Sequence, residues 1–234
     1  MKRFRWWVAL VVLAVGLGVA VPQGDASGLA GLSAEQWKDV EQAKAKTERE
    51  LSHPSKVFDV QKVREEARRR GLDSNKVLQR QQMGAMAGAV GTYGDILVTL
   101  DGTSSSSSAW AGGHAGVVSD VPGYVVESFG NKGDLNGVRH WPNDWATRYN
   151  NVRGLWVSGA YDSNYAYSAS YSRNQIGLPY NYNFFNVTTT SSFYCSQLVW
   201  RSWYNQGWDL NDGGAVWPVD LLESPYTIVF YSQG

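Results

Sequence analysis

The amino-acid sequence predicts an α+β domain behind a helical N-terminal region. Three observations carry this. Short apolar runs rich in β-branched residues recur at 95–100, 113–118, 124–127, 152–158 and 226–231, punctuated by Gly, Pro, Asp and Asn. Helical character in the same stretch is confined to two segments, 162–176 and 193–205, segregated from the strands rather than alternating with them. Residues 33–82 carry helix start and stop signals and little that reads as a strand.

The chain of 234 residues opens with Met1-Lys2-Arg3-Phe4-Arg5, a basic run, followed by an apolar stretch from Trp6 to Leu17 and small residues at Gly18-Val19-Ala20. That order is the pattern of a secretory signal peptide over 1–20, with 6–21 as an uncleaved anchor the rival reading. Either places the protein outside the cytoplasmic membrane, secreted or in the cell envelope. Residues 21–32 read as a Gly-rich linker.

The region 33–90 reads as three helices. Ser33 and Gln36 fit a capping box, with Leu32 and Trp37 as its hydrophobic staple. His53-Pro54 ends that helix. A second runs from about Asp59 to Arg70 and stops at Gly71, and a third starts at Asp73-Ser74 and lasts to about Ala87. The apolar stripe along these helices is thin, so they need a surface to lie on. Residues 33–82 carry 12 basic and nine acidic side chains, whereas 91–234 carry six basic and 11 acidic. A slightly basic front against an acidic body fits a prosegment, and fits a spacer or docking arm equally well. The Gly-rich stretch from Gly84 to Gly94 marks the boundary.

The body, 91–234, is large enough for its own core. No basic patch points to nucleic acid. One cysteine, no paired histidine spacing and no acidic loop of calcium type leave metal binding and cofactors without support. Eleven Trp and 13 Tyr serve either core packing or stacking on sugars and peptides. The run Ser104 to Ser108 reads as a polar loop or a flap, and Asp95 as a turn former at a strand edge.

Cys195 is the only cysteine, in Phe193-Tyr194-Cys195-Ser196-Gln197-Leu198-Val199-Trp200. It cannot form an internal disulfide. The polar run 188–192 before an apolar periodic segment predicts a helix N-terminus with Ser192 as its cap. Cys195 then falls in the first turn, where the helix dipole favours thiolate. A thiol nucleophile needs a base, and the base an orienting acceptor. Of three histidines, His53 lies in the front and His140 in a Trp/Pro/Asn-rich loop. His114 begins an apolar strand after two glycines that allow close approach. Glu127 is on the next strand and can share a face with His114. Cys195, His114 and Glu127 are thus the candidate nucleophile, base and orienter. Tyr180 and Tyr194 are candidates for lining the groove or holding an oxyanion.

The succession Gly94-Asp95-Ile96-Leu97, Gly113-His114-Ala115-Gly116-Val117-Val118, Val126-Glu127 and Tyr194-Cys195-Ser196-Gln197-Leu198-Val199-Trp200 resembles the circularly permuted papain-like hydrolases, the YiiX/YebB-like branch of the NlpC superfamily. Gly177-Leu178-Pro179-Tyr180-Asn181 and Trp217-Pro218-Val219-Asp220-Leu221 resemble segments flanking that family's cysteine helix. The resemblance covers about 94–231 and implies an antiparallel sheet packed on a catalytic helix. It also implies a Cys195–His114–Glu127 triad in a cysteine peptidase or amidase, with cell-wall peptides as the leading substrate. A lipid-directed acyl hydrolase or acyltransferase and a non-catalytic envelope-binding module are the alternatives. Gln197 stands where relatives often have Glu, and reads as a tolerated helix-surface change. The helical front has no counterpart in the resemblance.

Overall fold

A computed structural model describes residues 29, 31–83, 88–101 and 110–234. The expected signal peptide, nearly all of the linker, the end of the third front helix and the serine run lie outside these residues. The protein is α+β, built on a six-stranded antiparallel sheet. The strands are β1 (Ile96–Thr99), β2 (His114–Val118), β3 (Tyr124–Phe129), β4 (Gly137–Pro142), β5 (Val152–Val157) and β6 (Thr227–Gln233), in the order β4-β3-β2-β1-β5-β6. Every neighbouring pair is antiparallel. The central strands β1, β2 and β5 are buried at every position, so both faces of the sheet are covered. This explains why they read as continuous apolar runs instead of alternating ones.

Five strands fall where the sequence placed them. The sixth, β4, holds His140, where the Trp/Pro/Asn-rich composition predicts a loop. Its Trp141 and Pro142 disguise an edge strand, where proline is tolerated. The body helices are α4 (Trp145–Arg148), α5 (Asp162–Asn174), α6 (Cys195–Tyr204) and α7 (Pro218–Glu223). Helices α4 and α7 are too short to leave a periodic signal in the sequence. Helix α6 packs on β2 and β3. Val126 and Val138 meet Phe193 and Leu198 there, and Ser128 Oγ donates to the Phe193 carbonyl at 2.6 Å. Among the described residues, no helix is long and apolar enough to cross a membrane.

The front forms α1 (Ala34–Ser52), α2 (Val60–Arg69) and α3 (Ser74–Met83). The capping box is present: Ser33 N donates to Gln36 Oε1 at 2.9 Å, and Gln36 N to Ser33 Oγ at 3.2 Å. Asp59 caps α2 through the amides of Gln61 and Lys62. The thin apolar stripe lies on the body: Val40, Ala43, Val63 and Ala67 are fully or almost fully buried in the same core as the sheet. Each valine contributes about 1.5–3 kcal/mol by leaving water. Asp95 does more than shape a turn. It accepts from Thr92 N at 2.7 Å and forms a buried ion pair at 2.5 Å with Arg70, at the end of α2. The Arg70 guanidinium also lies 3.4 Å from the ring centroid of Tyr165 on α5. The charge is thus neutralised by Asp95 and faced by a π surface, which makes its burial tolerable.

Candidate active site

The site assembles where β2 and α6 begin. His114 is the first residue of β2 and Cys195 the first of α6. Gly113 precedes His114 with φ +116°, and its missing side chain leaves room for the Thr99 carbonyl of β1. The close approach expected there is therefore one of backbone to backbone. Glu127 pairs in register with Gly116, not with His114. It sits on the same face as His114 but diagonally, and must lean across. Gly116 permits that: a Cβ there would lie 2.7 Å from Val125 Cγ1 and 3.0 Å from Glu127 Cγ.

His114 Nε2 and Glu127 Oε2 are 2.6 Å apart, and both side chains are fully buried. With Nε2 committed to the carboxylate, Nδ1 is the ring nitrogen available to a second partner. The ring also interacts with the Cys195 side chain. Burial pulls the imidazole towards neutrality. The Cys195 and Glu127 interactions outweigh it, and the net shift is upward from 6.5. The ring is clamped between Phe129 (centroids 4.2 Å apart, 25° between planes) and Trp145 (5.6 Å, 17°). It can accept or release a proton without rotating out of line.

The second oxygen of Glu127 is held by two residues outside the sequence motifs. Arg148 Nη2 donates to Oε1 at 2.6 Å, and Trp145 Nε1 donates to it at 3.2 Å. Trp145 thus stacks on the histidine and binds its carboxylate partner. Both residues come from α4, three apart and on one face. Asn143-Asp144 before Trp145-Ala-Thr-Arg148 was the available signal, but one turn of helix is too short to recognise by period. The charges balance: Arg148 offsets Glu127, and an imidazolium at 114 would offset a thiolate at 195.

Cys195 is one position after the N-cap, which is Tyr194 rather than Ser192. The residues at 191–192 form a bend, and Phe193 N and O pair with Pro179 O and Asn181 N, so the helix cannot start before 194. This places the sulfur at the first helical residue, where the amides that lack intrahelical acceptors are concentrated.

Gln197 is not a surface residue. It is fully buried, and its Oε1 accepts from Tyr194 N (3.2 Å) and Asn181 Nδ2 (3.0 Å). Its Nε2 donates to the carbonyls of Asn186, Val187 and Thr189 at 3.2–3.3 Å. The amide ties the loop before the helix to the helix start, and both of its ends are needed. Gln197→Glu puts a carboxylate oxygen against three carbonyls and is expected to cost about 3–5 kcal/mol in urea unfolding. A loss under about 1 kcal/mol would show that the hub carries no stability.

Tyr194 and Tyr180 are placed differently from the groove-lining role expected of them. The Tyr194 hydroxyl donates to Phe184 O at 3.0 Å and accepts from Val216 N at 2.9 Å, with the ring buried. Tyr180 is buried against Gly130 and packs edge-on to Tyr182 and Phe184. His140 interacts with Ser119 Oγ at 2.9 Å, and His53 is exposed beside Ser52, so neither joins the site. Among the described residues no cluster of His, Cys, Asp and Glu could hold a metal ion. No protein-family model, curated protein or solved structure matches this chain.

Proposed function

We propose that this protein is an exported cysteine hydrolase of circularly permuted papain-like fold, cleaving an amide or peptide bond. The observation that carries the reading is a single imidazole, clamped between aromatic rings. One of its nitrogens bonds Glu127, and the ring interacts with a cysteine at a helix N-terminus. A buried structural cysteine needs none of these partners. The order of elements, with the histidine strand ahead of the cysteine helix, supports the permuted arrangement.

In the proposed cycle His114 holds the proton removed from Cys195, and the thiolate attacks the carbonyl carbon. The oxygen that becomes negative lies near the positive end of α6. The C–N bond breaks as His114 returns the proton to the leaving amine, leaving a thioester on Cys195. Water, deprotonated by His114, then attacks the thioester and frees the acid and the thiol. Glu127 stabilises the imidazolium in both halves, and Arg148 holds the Glu127 carboxylate in line.

Cell-wall stem or bridge peptides are the substrate class best matched by the export pattern and by the resemblance of the motifs. The test is digestion of purified peptidoglycan with wild type and Cys195→Ala. The expected result is new free amines or carboxylates with the wild type only, and an acyl adduct on Cys195 by intact mass. Intact muropeptides with an unmodified Cys195 would overturn the substrate assignment.

A further inference from the structure

The front helix α1 is linked to the cysteine through the segment 215–217 and the two chain neighbours of Cys195. Val216 holds both chain neighbours of Cys195: its N–H donates to the Tyr194 hydroxyl at 2.9 Å, and its carbonyl accepts from Ser196 Oγ at 2.6 Å. Asp39, on α1, holds both neighbours of Val216. Its Oδ2 accepts from Trp217 Nε1 at 2.9 Å and from Ala215 N at 3.4 Å. Gly214 allows this approach, because a Cβ at that position would overlap the Asp39 carboxylate. Further along the same helix, Lys46 pairs with Asp220 at 3.0 Å and Arg49 with Glu223 at 2.5 Å, both on α7. The helix is therefore attached along its length to the segment that supports the start of α6.

We propose that Asp39 is a positioning residue for the Cys195 nucleophile, and that the helical front is a permanent part of the working enzyme. This rests on the reading of Cys195 as an activated thiol. It assigns the front the opposite role to an inhibitory prosegment: loosening α1 lowers the reactivity of Cys195 instead of unmasking it. The direction can be separated from simple electrostatics. Removing a nearby negative charge would by itself ease thiolate formation and move the reactivity profile to lower pH. Losing the position of the thiol against His114 moves it to higher pH.

The test uses the full chain as wild type, Asp39→Ala, Asp39→Asn, Trp217→Phe and His114→Ala. Iodoacetamide labelling of Cys195 is followed by intact mass between about pH 5 and 9, beside thermal unfolding. Asp39→Ala is expected to label about tenfold more slowly near pH 6.5, with its profile moved to higher pH. Asp39→Asn keeps an acceptor oxygen for both donors and recovers most of the wild-type rate. Wild-type rate and profile in a folded Asp39→Ala overturn the proposal, as does a profile moved to lower pH. If Asp39→Ala does not fold, Trp217→Phe, which deletes one donor, decides: slowing supports the proposal and an unchanged rate overturns it. If the wild type labels no faster than His114→Ala, the activated-thiol reading fails and this inference falls with it. A fast wild type beside an equally fast Asp39→Ala removes this inference alone.

Discussion

Replacing His114 by alanine is expected to slow alkylation of Cys195 by about 10- to 100-fold near pH 6, with the two rates converging above about pH 9. The argument is one of ionisation. An ordinary cysteine titrates near 8.5, so only a small fraction of it is thiolate at pH 6. In the wild type the imidazole is held above 6.5, because its interactions with Cys195 and Glu127 outweigh its burial. Under the proposed function, a thiolate–imidazolium pair is then expected to persist into mildly acidic solution. The full ionisation advantage is not realised, since a more acidic thiol is also a weaker nucleophile. Removing the buried ring also opens space beside Cys195, so ionisation is read from the shape of the pH profile rather than from a single rate. The same shift sets a stability trend. The contribution of charged His114 is fully present below about pH 6.5 and is lost as pH rises through its elevated value. Equal labelling profiles for the two proteins would make Cys195 a structural residue.

Glu127→Gln is expected to destabilise the fold by about 3–5 kcal/mol and to move the labelling profile to higher pH. The carboxylate is fully buried and takes three donors: the His114 ring, Trp145 Nε1 and the Arg148 guanidinium. A glutamine has the same shape but only one acceptor oxygen. Whichever way the amide turns, its NH2 group meets a donor, and Arg148 is left without its buried counter-charge. The imidazolium loses its partner as well, so the His114 pKa falls and the thiolate is less well supported. Urea unfolding together with the iodoacetamide profile measures both effects. A variant within about 1 kcal/mol of wild type, with an unchanged profile, would show that Glu127 neither anchors nor orients the histidine.

The position of His114 at the head of a strand, Glu127 on the next strand and Cys195 at a helix start were legible because each sits in a local pattern. Glycines precede the histidine, an apolar run carries the glutamate, and a polar run gives way to periodicity at the cysteine. The register was not legible. Glu127 stands opposite Gly116, and that offset depends on how the turn at 119–123 closes. The supporting residues left still less trace. Trp145 and Arg148 belong to a single helical turn, and Gln197 resembles any polar residue of an amphipathic helix until the loop 181–190 folds over it.

Local chemistry along the chain thus determined the α+β class, five of the six strands, the capping box at Ser33 and Gln36, and the His114, Glu127 and Cys195 candidates. These depend on short apolar runs bounded by turn residues, on the helical period of 3.6 residues and on residues a few positions apart. Tertiary structure alone decided what surrounds them. The clamp of Phe129 and Trp145 on the imidazole, the Arg148 counter-charge, the burial of Gln197 and the reach of Asp39 to Ala215 and Trp217 join residues up to 178 positions apart. Such contacts are set by the packing of whole elements and by the loss of water around them, and the order of neighbouring residues does not encode those forces locally.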